Sequence, residues 1–100
     1  MIEKLEKLAA AGIQLIPAAD LTTHFLFERN GFVSLVERTN ENGFGNIGAP
    51  GLLTQSGLAV LVWRGGAGWF VRRGFEQRAT EEEVKGLRAF ATDLQNALKD

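Results

Sequence analysis

His24 is the only histidine of the chain and the first candidate for chemistry. An imidazole titrates near neutral pH, so His24 can act as a general base. Glu37 can face it across a hairpin, at a distance where a carboxylate can hold the ring. A cross-strand polar pair on a solvated face is the favoured explanation of the two residues, and the catalytic pair is the alternative. Ser34 and Ser56 are possible nucleophiles, but neither lies in a nucleophile-elbow sequence.

A glycine-rich segment is the second candidate for a site. Residues 43–48 match the pattern G-x-G-x-x-G, which in dinucleotide-binding folds places a pyrophosphate at a helix N-terminus. Here a proline and a glycine follow within three residues, which cannot begin a long helix. Segment 43–51 is therefore more typical of a loop. If it binds a small anion, we expect Gly43, Gly45 and Gly48 to contact the ligand.

Arginines make residues 60–80 locally basic, and two of them are candidate ligand-binding residues. A guanidinium binds a carboxylate or phosphate through paired hydrogen bonds, so Arg72 or Arg73 can hold an anion beside the glycine segment. Neighbouring side chains on a strand point to opposite faces, so at most one of the two joins a given site. Solvated charges at a sheet edge, paired with the glutamates at 81–83, explain the same residues.

Aromatic residues are concentrated in the same part of the chain. A stacking surface for a flat ligand or for exposed bases can be built from Trp63, Trp69, Phe70, Phe75 and Phe44. Aromatic residues on central strands belong to the core more often than to a binding surface.

Composition excludes several classes of protein. The net charge of −1 gives no attraction to nucleic acid, so we expect no nucleic-acid partner. The absence of cysteine excludes disulfides and thiol nucleophiles, and one histidine excludes a histidine-rich metal site. We therefore expect no metal and no cofactor. The longest apolar run has six residues, too short to span a membrane, and the chain is expected to be cytoplasmic.

Two helices are predicted at the ends of the chain. Near the N-terminus, Ile2, Leu5 and Leu8 share one helical face, and Gly12 is expected to end the helix. Thr80 and Glu83 have the spacing of a capping box that begins the second helix. Its apolar stripe is formed by Val84, Leu87, Ala91, Leu94 and Leu98, widened by Phe90 and Ala97.

Two hairpins lie between these helices. Asn30-Gly31 separates two apolar runs, but the sequence leaves the register open. A two-residue turn pairs Arg29 with Phe32, and a turn with a bulge at Gly31 pairs Glu28 with Phe32. The second hairpin, at 57–73, is apolar on both sides of its first strand, so we expect it inside the sheet and covered on both faces. Short extended pieces are predicted at 13–16 and 75–78.

These elements predict one α+β domain over residues 1–100, with an antiparallel sheet of four to five strands built from two hairpins and with both terminal helices packed on it. The order of elements resembles that of profilin-like and roadblock-type domains, but those carry a middle helix where this chain has Gly43 to Gly51. No function follows from that resemblance.

The fold leads to three hypotheses on function. The favoured one is a small non-catalytic binding module that self-associates as a homodimer, because two helices cover two faces of a sheet only thinly. The alternatives are an anion-binding protein that uses segment 43–51 with Arg72 or Arg73, and a small enzyme with His24 as general base. Whether the helices cover one face or both stays open at this stage.

Overall fold

The structure, a computed structural model, describes residues 2–17, 21–39, 43–55 and 57–99. Within these residues it has two helices and eight strands. In chain order they are α1 (Ile2–Ala10), β1 (Gln14–Ile16), β2 (His24–Arg29), β3 (Phe32–Arg38), β4 (Phe44–Ile47), β5 (Gly51–Thr54), β6 (Gly57–Arg64), β7 (Ala67–Arg72), β8 (Phe75–Arg78) and α2 (Glu81–Leu98).

All strands belong to one antiparallel sheet with the order β1-β2-β3-β5-β6-β7-β8. The eighth strand, β4, shares an edge of β3 with β5. The first half of β3 pairs with β5 through Phe32 and Val33, and the second half pairs with β4 through Val36 and Arg38. The α+β class and the antiparallel sheet are therefore confirmed.

The predicted number of strands was too low. Four to five strands were expected, and the difference lies mainly in segment 43–51, which forms β4 and the beginning of β5 where a loop was expected. Both strands have four residues, and glycines interrupt any alternation of apolar and polar side chains. Their extended form depends on pairing with β3 and β6, which a local pattern does not contain. The short strands predicted at 13–16 and 75–78 are β1 and β8.

The register of the first hairpin is that of a two-residue turn. Asn30 has φ 55° and Gly31 has φ 87°, as a type I′ turn requires, and Arg29 pairs with Phe32. Phe25, Phe27, Ser34 and Val36 therefore lie on one face with Phe32. The hydroxyl of Ser34 is fully buried there and donates a hydrogen bond to the carbonyl oxygen of Gly48 at 2.8 Å.

Both predicted helix ends are confirmed. Gly12 has φ 76°, and the N–H of Ile13 donates to the carbonyl oxygen of Leu8 at 2.9 Å, as in a Schellman motif. At the start of α2 the Glu83 amide donates to the Thr80 hydroxyl at 3.1 Å, and the Glu83 carboxylate accepts from the Thr80 amide at 2.9 Å. The capping box is therefore complete.

Both helices lie on the same face of the sheet. Phe90 and Leu94 of α2 pack with Phe27 and Val36, in a cluster that also contains Leu8 of α1. Farther along the sheet, Leu87 packs with Ala59 and Phe70 in a second cluster. The register puts all of these strand residues on one face, which we call the helix face.

The opposite face carries no helix of the described chain, and we call it the helix-free face. Along the register its apolar side chains are Ile16, Leu26, Val33, Leu35, Leu53, Leu58, Val60, Val62, Trp69 and Val71. The hairpin of β6 and β7 was expected inside the sheet, and that is confirmed. Within the described chain the helices cover only one face of this hairpin, so coverage of its second face stays a prediction.

Arg29 joins the sheet to both helices. Its Nη1 donates to the carbonyl oxygen of Ala11 at 2.9 Å and to Oδ2 of Asp93 at 2.7 Å. Its guanidinium also lies 5.8 Å from the centre of the Phe90 ring. One side chain at the end of β2 therefore fixes the end of α1 and the middle of α2 on the helix face.

The apolar contact of α2 is tested at Leu94, which is fully buried. We expect Leu94→Ala to leave a cavity in the core and to lower the free energy of unfolding by about 2–5 kcal/mol. Gln95→Ala, one residue along on the exposed side of α2, is the matched control and should change it by less than about 0.5 kcal/mol. Urea unfolding followed by circular dichroism measures both. Equal stability of the two variants would contradict the burial of this helix.

Candidate functional site

The three candidate glycines of segment 43–51 lie against the backbone and side chains of β3 and the residue after it. A Cβ atom at Gly43 would meet Thr39, one at Gly45 would meet Glu37, and one at Gly48 would lie 3.0 Å from a backbone oxygen of β3. These glycines thus have a structural explanation, since they let β4 and the turn after it approach β3 closely.

The end amides of this segment already have partners within the protein. The N–H of Gly43 donates to the Thr39 hydroxyl at 2.9 Å, and the N–H of Gly48 donates to the carbonyl oxygen of Leu35 at 2.7 Å. In a phosphate-binding loop, by contrast, free amides at a helix N-terminus point at the ligand. Here the segment leads into strand β5, which begins at Gly51, and not into a helix.

Gly51, at the end of the segment, allows a close approach of the β5 and β6 backbones. It is buried between β3 and β6, and an added Cβ would collide with the carbonyl oxygen of Ala59. The side chain of Leu58 also covers it on the helix-free face. This glycine is required for the pairing of β5 with β6.

Arg72 and Arg73 lie away from the three glycines. The Arg72 guanidinium covers Gly57 and donates to the carbonyl oxygen of Leu58 at 3.4 Å, while Arg73 is exposed in the turn after β7. The neighbours found at Gly43, Gly45 and Gly48 are residues of or beside β3. The structure therefore does not bring the glycines and the two arginines together.

His24 and Glu37 are directly opposite each other on β2 and β3. The hydrogen bond of the His24 ring nevertheless joins its Nδ1 to the Thr23 hydroxyl at 2.8 Å. Among the described residues no hydrogen bond or ion pair joins the imidazole to Glu37. Ser34 is buried and Ser56 lies outside the described residues. The carboxylate thus does not hold the imidazole as a catalytic pair requires.

The candidate aromatic residues are divided between the two faces. Phe70 is fully buried on the helix face, and Phe44 packs on Phe25 and Phe27 in the core. Trp69 lies on the helix-free face, opposite Val62. Trp63 lies on the helix face and remains 54% exposed. A single stacking surface is therefore not formed.

Trp63 lines a cleft that sequence reasoning missed. The cleft has a volume of about 380 Å³ and lies between the turn of β6 with β7 and the first half of α2. Lys85 and Arg88 of α2 line it as well. The helical spacing of the two basic residues is visible in the sequence, but the position of Trp63 beside them depends on how the sheet and α2 pack.

The charged residues of the helix-free face are separated along the sheet. Glu28 and Glu37 lie at its β2–β3 end. Arg64, Glu76 and Arg78 lie at its β6–β8 end, where Arg64 and Glu76 form an ion pair at 3.0 Å. One end is therefore negative by two charges, the other is positive by one, and the apolar side chains lie between them.

No group of three or more potential ligand residues of a metal ion occurs among the described residues. Neither described helix is long and apolar enough to span a membrane. A comparison with protein-family models found no match, and comparisons with curated proteins and with solved structures found no similar protein.

The structural explanation of the glycine segment predicts unequal effects of two alanine substitutions. Gly51→Ala should lower the free energy of unfolding by about 1–3 kcal/mol or more, because the new Cβ meets a backbone oxygen that cannot move alone. Gly45→Ala is the control and should cost less, because the first atom it meets is the carboxylate end of the Glu37 side chain. Urea unfolding measures both, and a Gly51→Ala variant as stable as the control would contradict this explanation.

Proposed function

We propose that this protein is a non-catalytic interaction module that forms a homodimer through its helix-free face. The observation that supports the proposal is the position of the helices. Since α1 and α2 both pack on the helix face, nine of the ten apolar side chains on the other face lack a covering helix within the described chain and stay partly exposed, and only Val33 is fully buried. A second copy of the same face can supply that layer.

The extent of the apolar surface on the helix-free face indicates that a partner covers this face. Soluble monomers rarely expose a contiguous apolar patch of more than a few hundred Å². On the helix-free face Leu58, Val60 and Val62 alternate along β6, and Trp69 and Val71 continue the patch on β7. All five are only partly buried, and Leu53 beside them is 43% exposed.

The size of the molecule also suits such an interface. The Cα atoms extend over 41 × 27 × 19 Å, and a thickness of 19 Å fits one sheet with one layer of helices. A rectangle of 41 × 27 Å, roughly 1,100 Å², is the upper limit for the projected area of the broad face. That limit leaves room for the roughly 800 Å² that each partner contributes to a standard stable interface.

Charge distribution favours a second copy as the partner. A two-fold axis that runs parallel to the strands between the two sheets reverses the strand order of the partner. The β2–β3 end, with Glu28 and Glu37, then faces the β6–β8 end of the other copy, where Arg64, Glu76 and Arg78 together leave one positive charge. The apolar middle parts of the two helix-free faces then pack on each other between these charged ends. Two sheets that pack face to face in this way lie about 10 Å apart.

The other two hypotheses lack a comparable observation. An enzyme with His24 as general base needs a partner for the imidazole, and its hydrogen bond goes to Thr23. An anion site at the glycine segment needs Arg72 or Arg73 nearby, and Arg72 lies on Gly57. A cytoplasmic location is part of this proposal, and a chain without cysteine suits it.

Sedimentation equilibrium at micromolar concentration tests the homodimer. We expect a mass of about 22 kDa, twice the 10.9 kDa of one chain, that decreases on dilution. A mass of 10.9 kDa at all concentrations would contradict the proposal.

A pair of lysine substitutions tests which face forms the contact. Val62→Lys puts a charge in the middle of the helix-free face and should yield a folded monomer, since an interface core excludes an unpaired charge. Ile2→Lys is the matched control, because Ile2 is 74% exposed on α1, on the other side of the molecule. Circular dichroism verifies folding of both. A Val62→Lys protein that is folded and still dimeric would place the interface elsewhere.

A further inference from the structure

The cleft beside Trp63 lies on the helix face, and Arg78, at the edge of the sheet, is the one residue that it shares with the charged groups assigned to the homodimer surface. Its lining comes from the turn between β6 and β7, from the end of β8 and from α2. A volume of about 380 Å³ is in the range of pockets that hold small molecules, about 300–1,000 Å³. The chemistry of its walls indicates which class of molecule fits.

Trp63 forms the aromatic wall of the cleft. It is paired with Gly68 across β6 and β7, and an added Cβ at Gly68 would lie 3.5 Å from Cζ3 and 3.6 Å from Cη2 of the indole. The indole therefore lies over a position without a side chain, which fixes the ring against the sheet. More than half of the Trp63 surface stays exposed toward the cleft and solvent.

The facing wall is one side of α2. Glu81, Val84, Lys85 and Arg88 have the spacing of residues that share a helical face, and all four line the cleft. The buried stripe with Leu87 and Leu94 lies on a different side of the helix. This second face of α2 is thus free to contact a ligand.

The charge of the cleft is positive. Three basic residues, Arg78, Lys85 and Arg88, line it against one acidic residue, Glu81. Within the described residues Lys85 and Arg88 take part in no ion pair, and the Arg88 guanidinium lies 5.7 Å from the centre of the Trp63 ring. The N–H groups of a guanidinium lie in its own plane. A guanidinium that contacts an aromatic ring through its flat face can therefore still donate hydrogen bonds to a carboxylate.

We propose that this cleft binds a small planar aromatic carboxylate. Its ring would contact the exposed part of Trp63 beside the Arg88 guanidinium, and its carboxylate would accept hydrogen bonds from Arg88 and Lys85. Gly66 lines the cleft without a side chain, and no atom lies within 4 Å of the position that its Cβ would take. Binding at this site does not depend on the homodimer, because Trp63 and Trp69 lie on opposite faces of the sheet.

Nuclear magnetic resonance with 2-naphthoate as the probe tests the proposal. The chain has two tryptophans, so Trp69→Phe identifies the indole N–H signal of Trp63. We expect 2-naphthoate to shift that signal saturably at millimolar concentration, together with the amides of Lys85 and Arg88. The neutral analogue 2-naphthamide and inorganic phosphate should each bind at least tenfold more weakly, since one lacks the charge and the other lacks the ring.

Charge substitutions locate the carboxylate. Lys85→Gln with Arg88→Gln should weaken 2-naphthoate binding at least tenfold, and both residues are exposed, so the fold should persist. Arg73→Gln, in the exposed turn after β7, is the matched control and should leave binding unchanged. Shifts confined to the signal of Trp69, no saturable shift, or equal binding of 2-naphthamide or phosphate would each overturn the proposal. Sedimentation of the unliganded protein reports on the dimer separately.

Discussion

The contact of Phe90 and Leu94 with one side of the sheet decides where everything else lies. Their partners, Phe27 and Val36, belong to β2 and β3, and the side chain of α1 in the same cluster, Leu8, lies on that side as well. With two helices only, the described chain has no further layer for the other side. The one-sided arrangement therefore produces two surfaces, the apolar face opposite the helices and the cleft beside the first half of α2.

Local patterns predicted the elements that carry their own signals. The capping box at Thr80, the stripe through Leu94 and the turn at Asn30-Gly31 each depend on neighbours within a few residues, and each is present in the structure. Strands β4 and β5 have no such signal, because their glycines serve to approach other backbones. The register of the first hairpin and the side taken by the helices depend on tertiary packing, which a single sequence leaves open.

The candidate site was harder to predict than the fold, for a physical reason. Sequence motifs group residues that are close in the chain, as in the glycine segment with Gly43 and Gly48, and the structure gives those glycines a packing role. The cleft joins Trp63, from a strand, to Arg88, from a helix that begins 18 residues later. Trp63 and Arg88 meet only because β6 pairs with β7 at Gly68 and because α2 packs on that part of the sheet. Long-range contacts of this kind have no local signature.

The solvent exposure of Trp69 tests most directly whether a second copy covers the helix-free face. Trp69 lies on that face beside Val62 and Val71. In a Trp63→Phe protein Trp69 is the only tryptophan, so acrylamide quenching of its fluorescence reports on that face alone. If a second copy covers the face, quenching becomes weaker as the protein concentration rises from nanomolar to tens of micromolar. Quenching that is equally strong over the whole range would contradict the account.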